Sequence, residues 1–220
     1  MKIEEIVENV FNVNFDTQEK LASTFLRFQE HYESPEFKGK TFTLEEFKEW
    51  YTANSTKGKE TGKFTYYEDW GGFNIPSHIL KPFYEGSFEP LSKKEKKLLD
   101  TFKDKKDKKF YIIGTFSGKE REYLLKHETA HGLFYTNPDY RHEVLNELDK
   151  LDPKTRNNIN KVLEKFGYNS DVWVDESHAY IMTQSNYLKK KGLDEDVTDT
   201  KNVLLDIFDK YFDANKKKSV

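Results

Sequence analysis

His127-Glu128-Thr129-Ala130-His131 is the stretch on which the reading of this chain turns, and it follows Phe110-Tyr111-Ile112-Ile113-Gly114-Thr115-Phe116-Ser117. That upstream run is apolar, aromatic and β-branched, and it closes in Gly- and Ser-containing turn chemistry. It predicts a short buried strand over 109–116. Ser117 with Glu120 has the capping-box pattern, in which each side chain satisfies a free backbone N–H of the first helical turn. A helix is therefore expected over 118–135, with the H-E-x-x-H pentapeptide well inside it. In a chain with six histidines, such a match arises by chance only about 0.02 times.

The spacing has a geometric meaning. At 3.6 residues per turn, positions four apart sit about 40° from each other around a helix. His127 and His131 then point the same way, one turn apart, and both rings can reach one ion. Glu128 lies about 60° around from His131. That is too far round for a natural ligand, but near enough to touch a water on that ion. A bound zinc lowers the pKa of its water to about 7, and a neighbouring carboxylate can take the proton as the water attacks a carbonyl.

Two histidines do not complete a catalytic zinc site, which has three protein ligands and an open position. A further His six residues after His131 would give the metzincin pattern; that position is Asn137, and position 134 is Phe rather than Gly. The dense downstream cluster is Asp175-Glu176-Ser177-His178-Ala179-Tyr180. On a helix, Glu176 and Tyr180 share a face and His178 points nearly opposite, so Glu176 and His178 compete for the third position. Glu176 is preferred, because Tyr180 then lies one turn on and can donate its hydroxyl to an oxyanion. His178, Asp175 and Asp139 stand as the alternatives.

A strand, an H-E-x-x-H helix and a later Glu-x-x-Ala-Tyr helix together resemble the zincin metallopeptidases over roughly residues 108–185. Within that group the chain looks like the gluzincin branch, whose third ligand is a Glu on a second helix. The resemblance implies zinc on His127, His131 and Glu176, Glu128 as the catalytic base, and hydrolysis of a peptide or protein substrate. It also implies that the strand 110–116 is an edge strand pairing with extended substrate. In thermolysin-like members an acid stands four residues after the ligand Glu; here that position is Tyr180.

The rest of the chain supplies the frame. Further helices are expected over 17–32 (Asp16 with Glu19), 44–53 (Thr43 with Glu46) and 93–103 (Ser92 with Glu95). Others are expected from Asp152-Pro153 to Gly167, over 173–184, and over 199–213. Phe64–Tyr67 reads as a second strand and Lys57–Lys63 as an exposed turn. The fold class is α+β: a predominantly helical zincin-like fold with a small sheet and an N-terminal helical extension. Residues 1–107 form a helical and irregular aromatic region and residues 108–220 the metal-binding region, expected to act as one compact unit.

Composition narrows the function. Among 220 residues, Phe 18, Tyr 13 and Trp 3 promise a core built from rings, and a formal net charge of -3 gives no global pull toward nucleic acid or membrane. Arginine occurs at four positions only, Arg27, Arg121, Arg141 and Arg156, and lysine lacks the planar fork that reads phosphates and guanine edges. There is no cysteine, so disulfides, thiolate metal sites and Cys nucleophiles are excluded. No apolar run is long enough to span a bilayer and no secretory h-region follows Met1, so a cytoplasmic protein is expected. The leading function is a zinc-dependent metallopeptidase. The competing one is a non-catalytic interaction module with a structural or vestigial metal.

Overall fold

The computed structural model describes residues 1–117, 121–193 and 195–216, with residues 121–123 described by backbone alone. The chain is predominantly helical with a four-stranded mixed sheet, an α+β fold. It divides into two compact units: Met1–Glu4 with Phe11–Arg121, and Glu5–Val10 with the chain from Glu122 onward. Among the described residues no helix is long and apolar enough to cross a membrane.

The chain opens with strands β1 (Lys2–Val7) and β2 (Val10–Phe15), where a helical region was expected. The signal lies in Phe11, Val13 and Phe15: their alternation has the period of a strand, and all three are buried. Asn9 makes the turn at φ 63, a conformation that Asn tolerates better than most residues. Its N–H donates to the Glu5 carboxylate at 2.9 Å.

Helix α1 (Gln18–Glu33) starts one residue later than the Asp16–Glu19 pattern implied. Thr17 is the N-cap, accepting from Lys20 N, while the Asp16 carboxylate takes the Lys20 ammonium instead. The capping box of Thr43 and Glu46 is formed at α2 (Leu44–Asn54). Two corrections follow. The lysine-rich stretch read as a turn contains α3 (Thr56–Thr61), capped by Ser55 and stopped by Gly62 at φ 67. The stretch read as a second strand holds the single turn α4 (Tyr66–Asp69). Asp69 explains this bend: its carboxylate gathers Tyr51 Oη at 2.8 Å, Thr65 Oγ1 at 2.7 Å and the Lys57 ammonium, which an extended segment would hold apart.

Strand β3 (Phe73–Pro76) and helix α5 (Lys81–Tyr84) complete the aromatic segment. Helix α6 (Lys93–Phe102) carries the second formed capping box, Ser92 with Glu95. The Glu95 carboxylate also receives Arg27 of α1 in a buried two-point pair at 2.7 Å per bond. Strand β4 (Tyr111–Phe116) lies where the strand was expected, but in the interior of the order β1-β2-β4-β3. It pairs antiparallel with β3 in the register Phe73↔Gly114 and Ile75↔Ile112. An edge role for β4, with main-chain groups open to substrate, is therefore overturned: neighbours occupy both its sides. The core of this unit is a cluster of rings, with Phe83 stacked on Phe88 at 3.8 Å and Phe28 at 4.2 Å from Phe83.

The second unit is helical. It comprises α7 (Arg121–Thr136), α8 (Pro138–Leu148), α9 (Pro153–Lys165), α10 (Trp173–Lys190) and α11 (Thr198–Asn215). The Ser117–Glu120 capping box expected before α7 falls partly outside the described residues. Asn137 caps α8 and Asp152 caps α9, each with Pro in the first turn. Helix α10 runs past the expected end at 184, but Gln184 there leaves helical geometry at φ -135, ψ 29. Within this unit Val7 pairs with Lys216, and Glu8 N–H donates to Asn215 O at 3.0 Å.

Candidate metal centre

Helix α7 presents His127 and His131, and α10 presents Glu176 opposite them. All three are buried, and their ligand-type atoms lie within 4.8 Å of one another, a group that can hold a metal ion. The two Nε2 atoms face each other at 3.2 Å. Glu176 Oε2 stands 3.7 Å from Nε2 of His131 and 4.0 Å from Nε2 of His127. Donors about 2.0–2.1 Å from a tetrahedral zinc are about 3.3 Å apart. The imidazole pair already has that spacing, and the carboxylate is slightly wide of it.

The other ring nitrogens fix how these faces are turned. Thr183 donates its hydroxyl proton to Ala179 O at 2.6 Å, so Thr183 Oγ1 accepts from Nδ1–H of His127 at 3.0 Å. His131 Nδ1–H donates to Asp175 Oδ1 at 2.8 Å. With both Nδ1 positions protonated, both Nε2 lone pairs point at one place. Facing lone pairs at that distance repel unless positive charge sits between them, either a proton or a cation. The titration directions agree. Burial, followed by the charges of His131 and His178, holds His127 well below the ordinary imidazole range. Burial also opposes charge on His131, but Asp175 and Glu176 outweigh it and raise that imidazole well above its usual value. A cation of the same charge sign suits the same spot, and a His, His, Glu donor set suits zinc.

Asp175 is the residue that motif reading undervalued. It was weighed as a ligand; instead it accepts from a ligand-type histidine, as carboxylates do behind zinc-bound imidazoles. It precedes Glu176, whereas the acid sought from the resemblance follows the ligand Glu by four. Thr183 carried no signal, because a threonine three residues past Tyr180 on a helix looks like any other.

The remaining candidates are placed as follows. Glu128 is buried, next to His127. Tyr180 sets its ring edge-on to His127 at 5.1 Å, and its hydroxyl is 3.3 Å from that of Tyr168. Burial raises the Tyr180 phenol above its ordinary value. His178 is fully buried, stacked on Phe134 at 5.0 Å, with its ring 5.9 Å from His131. Burial lowers it to about 4, so it is neutral near pH 7. Asp139 is exposed in the first turn of α8. His31 and His142 bond elsewhere, to Lys40 O and to the Asn146 amide.

Comparison with protein-family models gives no match to this chain, and comparisons with curated proteins and with solved structures give none either.

Proposed function

We propose that this chain is a zinc-dependent metallopeptidase acting on a peptide or protein substrate. The observation that carries the reading is the convergence of His127 Nε2, His131 Nε2 and Glu176 Oε2 on one buried point, one residue away from a second buried acid, Glu128. In this reading His127, His131 and Glu176 hold zinc. Zinc bound there would polarise a substrate carbonyl and bring the pKa of a water toward about 7. Glu128 takes a proton from the attacking water and passes it to the leaving amine. Tyr180 donates its hydroxyl to the oxyanion that develops on the carbonyl oxygen. Thr183 and Asp175 keep the two imidazoles in the tautomer that turns Nε2 inward.

One observation favours the competing reading, a structural metal in an interaction module: the donor side chains are only 4% to 11% exposed. Against it, the group among the described residues has three donors, whereas closed structural sites have four. The deciding experiment pairs metal analysis with a labelled-peptide library. The wild-type chain is expected to hold close to one zinc and to cleave peptide in a chelator-sensitive way. Glu128→Gln is expected to keep the zinc and lose cleavage. Full cleavage by Glu128→Gln would overturn the mechanism, and stoichiometric zinc without cleavage by the wild type would favour the structural metal.

A further inference from the structure

His178, on α10, lies beside the three donors. It has no role in the proposed chemistry and it is completely buried; its ring lies near the backbone carbonyls of Asp175 and Ala130, but neither ring nitrogen makes a well-formed hydrogen bond. A buried polar group left in that condition is destabilising, so its placement needs a reason. Its ring is held on Phe134 and edge-on to Tyr140. That packing leaves Nδ1 3.4 Å from Asp175 Oδ1, with the N–H not yet turned onto the oxygen. The same oxygen accepts from His131 Nδ1 at 2.8 Å. One carboxylate oxygen thus lies between two imidazole Nδ1 atoms, one belonging to a proposed metal ligand and the other to a residue buried behind it. A shift of about 0.5 Å together with a turn of the ring would close the second contact to an ordinary hydrogen bond.

We infer that His178 is a positioning residue, which as the Nδ1–H tautomer braces Asp175 and through it fixes His131 for metal. Asp175 holds His131 by a single contact to one oxygen. Left with that contact alone, the carboxylate can rotate about its own bond and carry the imidazole with it. A second donor at Oδ1 removes that freedom. It also spreads the carboxylate's charge over two N–H groups without supplying a competing cation.

The inference rests on the metal-binding half of the proposed function and not on peptide cleavage, so zinc affinity is the readout. It is measured on the full chain by competition with a chelator of known strength. His178→Asn carries an amide donor near the Nδ1 position and should retain most of the affinity. His178→Gln places its donor near Nε2, and His178→Phe keeps the stacking but has no donor. Both should bind zinc about 10-fold more weakly, the lower end of what outer-shell partners contribute. In an Asp175→Ala background His178→Phe should cost nothing further. Cobalt-loaded His178→Phe should also show an altered visible spectrum. Equal affinities for the Asn and Gln variants would overturn the inference, and so would equal losses from His178→Phe with and without Asp175. The Asn–Gln contrast decides the matter even if the Phe variant does not fold. A wild-type chain that holds zinc but cleaves nothing refutes the peptidase and leaves His178 in this role. A wild-type chain that binds no zinc overturns both.

Discussion

Asp175 Oδ1 accepts from Nδ1 of His131 at 2.8 Å, and this contact sets which nitrogen of His131 faces His127 and Glu176. Asp175→Asn keeps an oxygen acceptor and the side-chain shape but removes the charge. Zinc affinity is expected to fall about 10-fold or more, with the unfolding midpoint of the chelated protein little changed. Thr183→Val, which removes the neutral acceptor at His127 Nδ1, should weaken zinc less. An Asp175→Asn chain that binds zinc as tightly as wild type would remove Asp175 from the metal centre.

Acid should destabilise the chelated chain through its buried imidazoles. His178 is lowered to about 4 in the fold, chiefly by burial, from an ordinary 6.5. Between those values the unfolded chain takes up a proton that the folded chain refuses, so stability is lost as pH falls through this window. His127, lowered likewise, acts in the same direction. His131 is raised, so the folded chain holds its proton throughout the window; its slope has the opposite sign and is confined to the top of the window, where the unfolded imidazole titrates. At around pH 5 the His178 contribution lost should be about 2 kcal/mol. Urea midpoints at pH 6.5 and at about pH 5, with chelator present, should fall for wild type and fall less for His178→Phe. Equal slopes would show that His178 does not titrate this way.

What could be read from sequence follows how local each signal is. The pairing of His127 with His131 was legible because four-residue spacing on a helix is a local fact. Thr43–Glu46 and Ser92–Glu95 were legible for the same reason, since a capping box is complete within one turn. Glu176 was only preferred over His178, on the strength of Tyr180 one turn on, because bringing α10 to α7 is a tertiary event that no spacing records. Asp175 was visible as a ligand-type residue, but its role depends on which side of His131 it meets. The opening strands were not among the expected elements although Phe11, Val13 and Phe15 alternate, because the pairing of β2 with β4 about a hundred residues on is a tertiary event. Helix α3 has no apolar stripe, only a Ser55 cap and the stop at Gly62. The interior position of β4 is set by β2 and β3 pairing from far along the chain, which its own six residues cannot announce.

The Arg27–Glu95 pair joins α1 to α6, with both side chains only 5% exposed. Arg27 also donates to Phe88 O at 3.0 Å and Pro90 O at 3.2 Å, and Glu95 also accepts from Ser92 N. Glu95→Gln can keep the cap but leaves a guanidinium buried without its counter-charge. It should cost about 3–5 kcal/mol. Arg27→Met added to Glu95→Gln should recover part of that loss, since the stranded charge is then gone. Denaturant midpoints of the two single variants and the double variant test this; a loss below about 1 kcal/mol for Glu95→Gln would mean that the pair is solvated.

At Gly114 side chains of α1 pack directly on the backbone of β4. A Cβ at that position would stand 2.8 Å from Leu21 Cδ1 and 2.9 Å from Phe25 Cζ, separations that packed carbons do not sustain. Neither neighbour can swing away, because Leu21 and Phe25 are themselves fully buried and Phe25 is wedged between Phe15 at 6.1 Å and Phe73 at 5.6 Å. Gly114→Ala should therefore lift α1 off the sheet locally and cost about 1–3 kcal/mol, the usual range for overpacking a core. The cost has a signature that a change in strand propensity lacks, since alanine is the better strand residue of the two. Leu21→Ala alone should destabilise by about 2–5 kcal/mol by opening a cavity. In the Gly114→Ala chain the same change makes room for the new methyl and should cost clearly less. Strictly additive losses in urea unfolding would mean that the backbone yields at β4 without the helix being involved.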